Sequence, residues 1–324
     1  MLKDKNFIIS TAITILFIIT SVFYYYYKNS QYTIDMLLFK SSYYFKNENY
    51  LQAVRYYKKL IMMNVKNNKI YTNIAISLIR MSYYKIAIKY LLTMEKTLHP
   101  TYEMYYLLGY SYYSMIKVYK LNDYKIPIQF LEKSLTLNKK NKSSYNLLGK
   151  IYEEYNEFEE ARKWYRKALF ENMDKSYEFY GLIASTYFKE QKFNEAIKYY
   201  ERAINNNSNY IYAYCDMAEI YIAQKDFGNA IKYLKKAINI YPEYFYPYYK
   251  IGNLFFIQEE YKTAIDWYLK ALNIEPNEAI VNYYIGITYK KLNMLKESIK
   301  YLKLAAYCGN DDAVKELRAM LETF

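Results

Sequence analysis

Seven glycines and five prolines in 324 residues are too few for a strand-rich fold. Such a fold spends Gly, Asn-Gly or Pro at nearly every tight turn. Two cysteines, Cys215 and Cys308, supply neither a disulfide framework nor a zinc site. The one histidine, His99, stands before Pro100 with no nucleophile near it, so a Ser-His-Asp or Cys-His arrangement lacks its base. No P-loop or dinucleotide fingerprint occurs. The pairs Glu153/Glu154 and Glu159/Glu160 read as solvated charge on polar helix faces rather than as acid–base dyads. The expectation is therefore no catalysis, no cofactor and no metal.

What the chain has instead is 48 tyrosines, 53% hydrophobic residues and a formal charge of +13. Only 6 of the 45 basic residues are arginine. Together with the Ile and Asn excess, that points to an AT-rich coding bias, so the positions of the tyrosines carry more meaning than their number. The charge is uneven: residues 1–140 hold 20 Lys/Arg against 7 Asp/Glu, and residues 141–324 hold 25 of each. A basic N-terminal part is either a solvated Lys-rich surface or a face for anionic lipid or an acidic partner.

Residues 7–27, FIISTAITILFIITSVFYYYY, contain no charge. As a helix they would span about 31 Å, the hydrocarbon thickness of a bilayer. Lys3, Lys5 and Lys28 flank the run, and Tyr24 to Tyr27 occupy the place of an interfacial aromatic belt. No A-x-A-like pair follows it, so an uncleaved signal anchor behind a short tail (1–6) is expected rather than a signal peptide. That predicts a single-pass membrane location with the bilayer as a partner through residues 7–27. Lys3 and Lys5 favour a cytoplasmic N-terminus and an extracytoplasmic remainder; Lys28, Lys40 and Lys46 weigh the other way.

Beyond residue 34 one frame recurs. A small residue stands at Ser41, Ala75, Gly109, Gly149, Ala184, Ala218, Gly252 and Gly286. Three residues on come Tyr44, Leu78, Tyr112, Tyr152, Tyr187, Tyr221, Phe255 and Tyr289. A second small or helix-opening residue follows at Ala53, Ala87, Pro127, Ala161, Ala196, Ala230, Ala264 and Ser298. The spacing is 34 residues except for 40 at the third step and 35 at the fourth. Within each unit, positions 4, 7, 8 and 11 form one apolar helical stripe. Small residues at 8 and 20 let two helices approach closely, and aromatics at 11 and 24 fill the space beside them. One such pair cannot bury its apolar face alone, so neighbours must stack.

The unit at Tyr145, Leu148, Gly149, Tyr152, Ala161, Tyr165 and Ala168 resembles the tetratricopeptide repeat family, with Tyr at the Trp place. Tyr248, Ile251, Gly252, Phe255, Ala264, Tyr268, Ala271 and Pro276 match it as well. The resemblance implies an all-α, right-handed solenoid of about eight helix–turn–helix units over 34–312. The units start near 34, 68, 102, 142, 177, 211, 245 and 279, and a capping helix follows at 313–324. Unit 1 is the poorest match, with Lys40 at an apolar place. Unit 3 carries six extra residues between its helices, where Pro127 can open the second helix.

In that family the stripe at positions 2, 5, 9 and 12 of each first helix lines a concave groove for a peptide or partner helix. Here it presents Tyr106, Tyr110, Tyr113, Phe188, Tyr212, Tyr246, Tyr249, Phe256 and Tyr283. Charges interleave on it: Lys69, Glu103, Lys150, Glu153, Glu178, Glu219 and Lys290. Large rings with a polar handle suit an interface. The Lys/Asn/Arg set that clamps a chaperone C-terminus in some members is missing; Leu182 stands where Asn is needed. The chain therefore reads as a membrane-anchored scaffold that binds a protein or peptide partner through a tyrosine-rich groove. Nucleic acid is not expected. The competing reading is a peripheral electrostatic module whose basic first units bind anionic lipid or another polyanion, which rising salt would abolish.

Overall fold

With so little glycine, the chain turns on other residues. In the computed structural model, Glu48, Ser82, Asn156, Gln191, Lys225, Glu259 and Asn293 all adopt φ between 58° and 62°. Each is position 15 of its repeat. The next N–H closes back on the carbonyl five residues earlier, as in Tyr83 to Leu78 at 2.8 Å, Asp226 to Tyr221 at 2.8 Å and Glu260 to Phe255 at 2.9 Å. This left-handed C-terminal cap satisfies the last carbonyls of one helix and aims the chain into the next.

The backbone is described for residues 2–322 except 122, 172 and 173, and side chains for 19–320 except those three and 23. The described residues form helices and no strand. In chain order these are α1 (Leu2–Lys46), α2 (Tyr50–Met62), α3 (Asn68–Arg80), α4 (Tyr84–Thr97), α5 (Tyr102–Tyr119) and α6 (Lys125–Leu137). Then come α7 (Lys142–Glu154), α8 (Phe158–Phe170), α9 (Ser176–Lys189), α10 (Phe193–Asn206), α11 (Ile211–Ala223) and α12 (Phe227–Ile240). The last are α13 (Phe245–Ile257), α14 (Tyr261–Ile274), α15 (Ala279–Lys291), α16 (Leu295–Tyr307) and α17 (Asp311–Glu322). The chain is an all-α solenoid of helical pairs, and it divides into two compact units, residues 1–151 and 152–324.

In residues 1–151 a continuous core runs from Leu37 through Tyr57, Ile74 and Leu91 to Leu108. In residues 152–324 successive cores form around Ala196 and Tyr200, Ala230 and Leu234, Ala264 and Tyr268, and finally Leu302 and Ala313 under α17. The small positions are steric necessities. A Cβ on Gly252 would lie 2.5 Å from the ring of Tyr268, and one on Gly286 2.7 Å from Leu302. Aromatics at position 11 stack on position 23 of the same repeat: Tyr44 on Tyr56 (5.4 Å), Tyr187 on Tyr199 (5.5 Å), Tyr221 on Tyr233 (5.3 Å) and Tyr289 on Tyr301 (5.7 Å).

Two expectations change here. The extra residues of unit 3 lengthen α5 to 18 residues rather than forming a loop, because Ile116 continues its buried stripe. Its left-handed cap then moves to Lys120. The second change concerns the N-terminus. Among the described residues no helix is long and apolar enough to cross a membrane. The expected span at 7–27 and the single-pass location are corrected accordingly. Residues 7–18 and 23 lie outside those whose side chains are described. In the described part, α1 runs without a break through the place expected for the membrane interface and becomes the first helix of the first repeat. Beyond Tyr27 it carries Lys28, Asn29, Gln31, Asp35 and Lys40, polar groups that a hydrocarbon core does not solvate.

Candidate functional site

In residues 1–151 the first-helix stripes make a real concavity. Lys69, Thr72, Asn73 and Ile76 of α3 face Glu103, Tyr106 and Leu107 of α5 across an open pocket of about 600 Å³. Tyr106 and Tyr110, 6.3 Å apart, line an adjoining one of about 530 Å³ with Ile76 and Arg80. Burial raises the Tyr106 hydroxyl above its ordinary value. Tyr113 does not line either pocket. It is only 7% exposed, on the packed side of α5. Lys150 is exposed on α7.

In residues 152–324 the same stripes form a ladder of rings. Tyr177 meets Tyr210 (5.0 Å), then Tyr212 (5.8 Å), Tyr244 (6.5 Å), Tyr246 (5.9 Å) and Tyr249 (6.3 Å) follow in turn. Tyr249 reaches Tyr284 (5.6 Å), which also touches Phe256 (6.2 Å). Tyr212, Tyr246, Tyr249 and Phe256 are thus brought together. Phe188 packs on Phe193 (5.9 Å), apart from that run. Tyr283 turns toward the capping helix, where it packs against the Leu302 and Ala313 core. Its neighbour Tyr284 takes the ladder place.

Position 6 is what the sequence stripe missed: it lies four residues from position 2 and three from position 9, inside the same face. It holds Asn73, Asp216, Lys250 and Tyr284. Lys250 Nζ lies 2.8 Å from Glu219 Oε1 and 5.3 Å from the centre of the Tyr246 ring, while Tyr246 Oη donates to Glu219 at 2.9 Å.

A second missed feature is the reach of position 24. These tyrosines are core by burial, yet their hydroxyls fix the polar residues of the groove. Asn73 donates to Tyr57 Oη (2.8 Å), Tyr165 donates to Glu153 (2.6 Å) and Tyr268 to Asn253 (2.8 Å). Tyr200 does the same for Asp216. Burial first, and then the Glu219 charge, push Asp216 up to about 6 against the hydrogen bond from Tyr200. Burial likewise pushes the Cys215 thiol up to about 12, which leaves it an inert core thiol.

Elsewhere in this half, Arg162 of α8 is 2% exposed. It lies 2.7 Å from Glu159, pairs with Glu190, and places its guanidinium 4.3 Å from the Tyr187 ring. That cluster welds α8 to α9, with Glu159 on its exposed edge. Among the described residues no group of three His, Cys, Asp or Glu could hold a metal ion. The arrangement offers rings, amides and fixed charges to a ligand, with no activated nucleophile.

Comparison with known proteins places this geometry. Residues 143–169 and 178–243 match models described as tetratricopeptide repeat, and residues 252–293 one described as TPR repeat. These residues carry tetratricopeptide repeats, a repeat type found generally in non-enzymatic scaffolds for protein–protein interaction. Among solved structures it is similar to yeast Tom70, at 18% identity and a TM-score of 0.65 over 84% of this chain and 58% of that one. It is also similar to the Cut9–Hcn1 hetero-tetramer of the APC/C, at 15% identity and a TM-score of 0.51 over 87% of this chain and 55% of that one. The MamA protein aligns at 24% identity and a TM-score of 0.43 over 52% of this chain and 92% of that one. The likeness to the first two is one of fold. A comparison by sequence with curated proteins returned no match.

Proposed function

We propose that this chain is a scaffold that holds an extended segment of a partner protein against the aromatic faces of its first helices. The observation that carries the reading is the ring ladder from Tyr177 to Phe256, together with the Tyr106–Tyr110 pockets. Both lie off the small-residue seam that closes each helical pair. Tyr212, 58% exposed in mid-ladder, is free to meet a partner. Aromatic side chains of this kind carry a disproportionate share of interface energy.

The test substitutes Tyr106, Tyr110 and Tyr212 by Ala and measures both partner capture and thermal unfolding. Tyr246 and Tyr249 stay intact, because they also pack against the cores at Ala237 and Tyr268. Hot-spot truncation costs about 2 kcal/mol or more of binding. The comparison set is Lys58, Lys59, Lys66 and Lys69 changed to Gln. Two of these already lie over rings, Lys58 over Tyr90 and Lys59 over Tyr56. Loss of binding in the lysine set alone, and its collapse with salt, would replace the groove by the electrostatic module.

A further inference from the structure

Within the ladder, one charge is left without an answering cation. Glu219 is satisfied twice over, by Lys250 and by the Tyr246 hydroxyl. Asp216, one turn earlier on α11, has no ion pair among the described residues; it accepts only the buried hydroxyl of Tyr200. Its charge reaches the rings around it: burial and then Asp216 raise the hydroxyl of Tyr210. A half-buried carboxylate held against rings and a second carboxylate is costly in the free protein. A cation placed there would relieve that cost and would also be attracted by the ring faces. Glu178 of α9 also raises the Tyr210 hydroxyl.

We propose that this stretch of the groove takes a lysine or arginine side chain from the partner segment. The charged head lies against Asp216, and the stem runs along the rings of Tyr212 and Tyr244. The inference rests on the groove reading and specifies its ligand. It also gives the site a polarity opposite to a carboxylate clamp, since a partner carboxylate here would meet Asp216 and Glu219.

Fluorescein-labelled, end-blocked peptides with one central arginine, citrulline or glutamate, and degenerate flanks, would be titrated against the full chain by anisotropy. Citrulline keeps the shape of arginine without its charge. The arginine pool is expected to bind about tenfold tighter than the citrulline pool, equivalent to about 1.4 kcal/mol. In Asp216→Asn, an isosteric change, the two pools are expected to bind alike. Equal binding of both pools to the native chain, or tighter binding of the glutamate pool, overturns the cation assignment and leaves the groove intact. Arginine preference that survives in Asp216→Asn places the cation elsewhere and overturns it too. Binding of no pool would remove the groove reading along with it. The arginine–citrulline comparison on the native chain decides the matter even if the variant does not fold.

Discussion

Replacing Asp216 by asparagine removes a charge and almost no volume, so its effect on stability isolates the cost of keeping that charge inside the groove. The carboxyl titrates at about 6 in the folded chain against an ordinary 3.8. At about 1.36 kcal/mol per pKa unit the gap is worth roughly 3 kcal/mol as an upper bound, and about 1–3 kcal/mol once partial exposure is allowed for. The sign follows from which state holds the proton. Below about pH 4 both states are protonated and no penalty exists. Between about 4 and 6 the folded chain keeps a proton that the unfolded chain has lost, so stability falls as pH rises. Above that window the penalty is complete. Asp216→Asn should therefore match the native chain near pH 4 and exceed it at pH 7 and above. Its urea midpoint, followed by circular dichroism at several pH values, reports this directly. A variant equally stable at every pH, or less stable at pH 7, would refute the argument that the groove holds an uncompensated charge. Natural proteins retain such destabilising groups mainly where function uses them.

Three further outcomes are expected. Ala161→Leu and Ala230→Leu, at fully buried small positions, should each cost about 1–3 kcal/mol by overpacking, read as lowered melting temperature. Gln191→Gly and Glu259→Gly should each stabilise the chain by about 0.5–1 kcal/mol, read as a raised melting temperature, because each now holds a left-handed backbone that glycine adopts without strain. Arg162→Ala should cost at least about 2 kcal/mol, since it removes a buried guanidinium, leaves Thr186 without its donor and leaves Glu190 with Lys192 alone; an unchanged melt would show that the cluster contributes nothing.

The repeat frame was readable in the sequence because sterics enforce it. Gly252 cannot gain a Cβ against Tyr268, so small residues recur where helices touch. The groove was readable only in part. Positions 2, 5 and 9 gave Tyr106, Tyr110, Tyr212, Tyr246 and Tyr249. Position 12 failed at Tyr113, because a residue at the edge of the stripe rotates into the packed side as easily as out of it. Position 6 was left out, although helical geometry puts it between 2 and 9, and with it went Asp216, Lys250 and Tyr284. No single-repeat pattern reveals that the core Tyr200 reaches Asp216 in the groove. That contact spans two repeats. Arg162 carries no signal within its own repeat, because its partners Glu190 and Tyr187 lie in the following one. The N-terminal run was read as an anchor by its lack of charge, while the continuity of α1 into the first repeat left no signal in composition.

The claim that a partner lies on the aromatic faces can be tested by where it cross-links. Photoreactive benzoylphenylalanine placed at Tyr212, 58% exposed within the ladder, should capture the partner protein. The same group at Phe170, 84% exposed at the end of α8 and outside the ladder, should not. Capture at Phe170 with none at Tyr212 would contradict the account and move the binding surface off the groove.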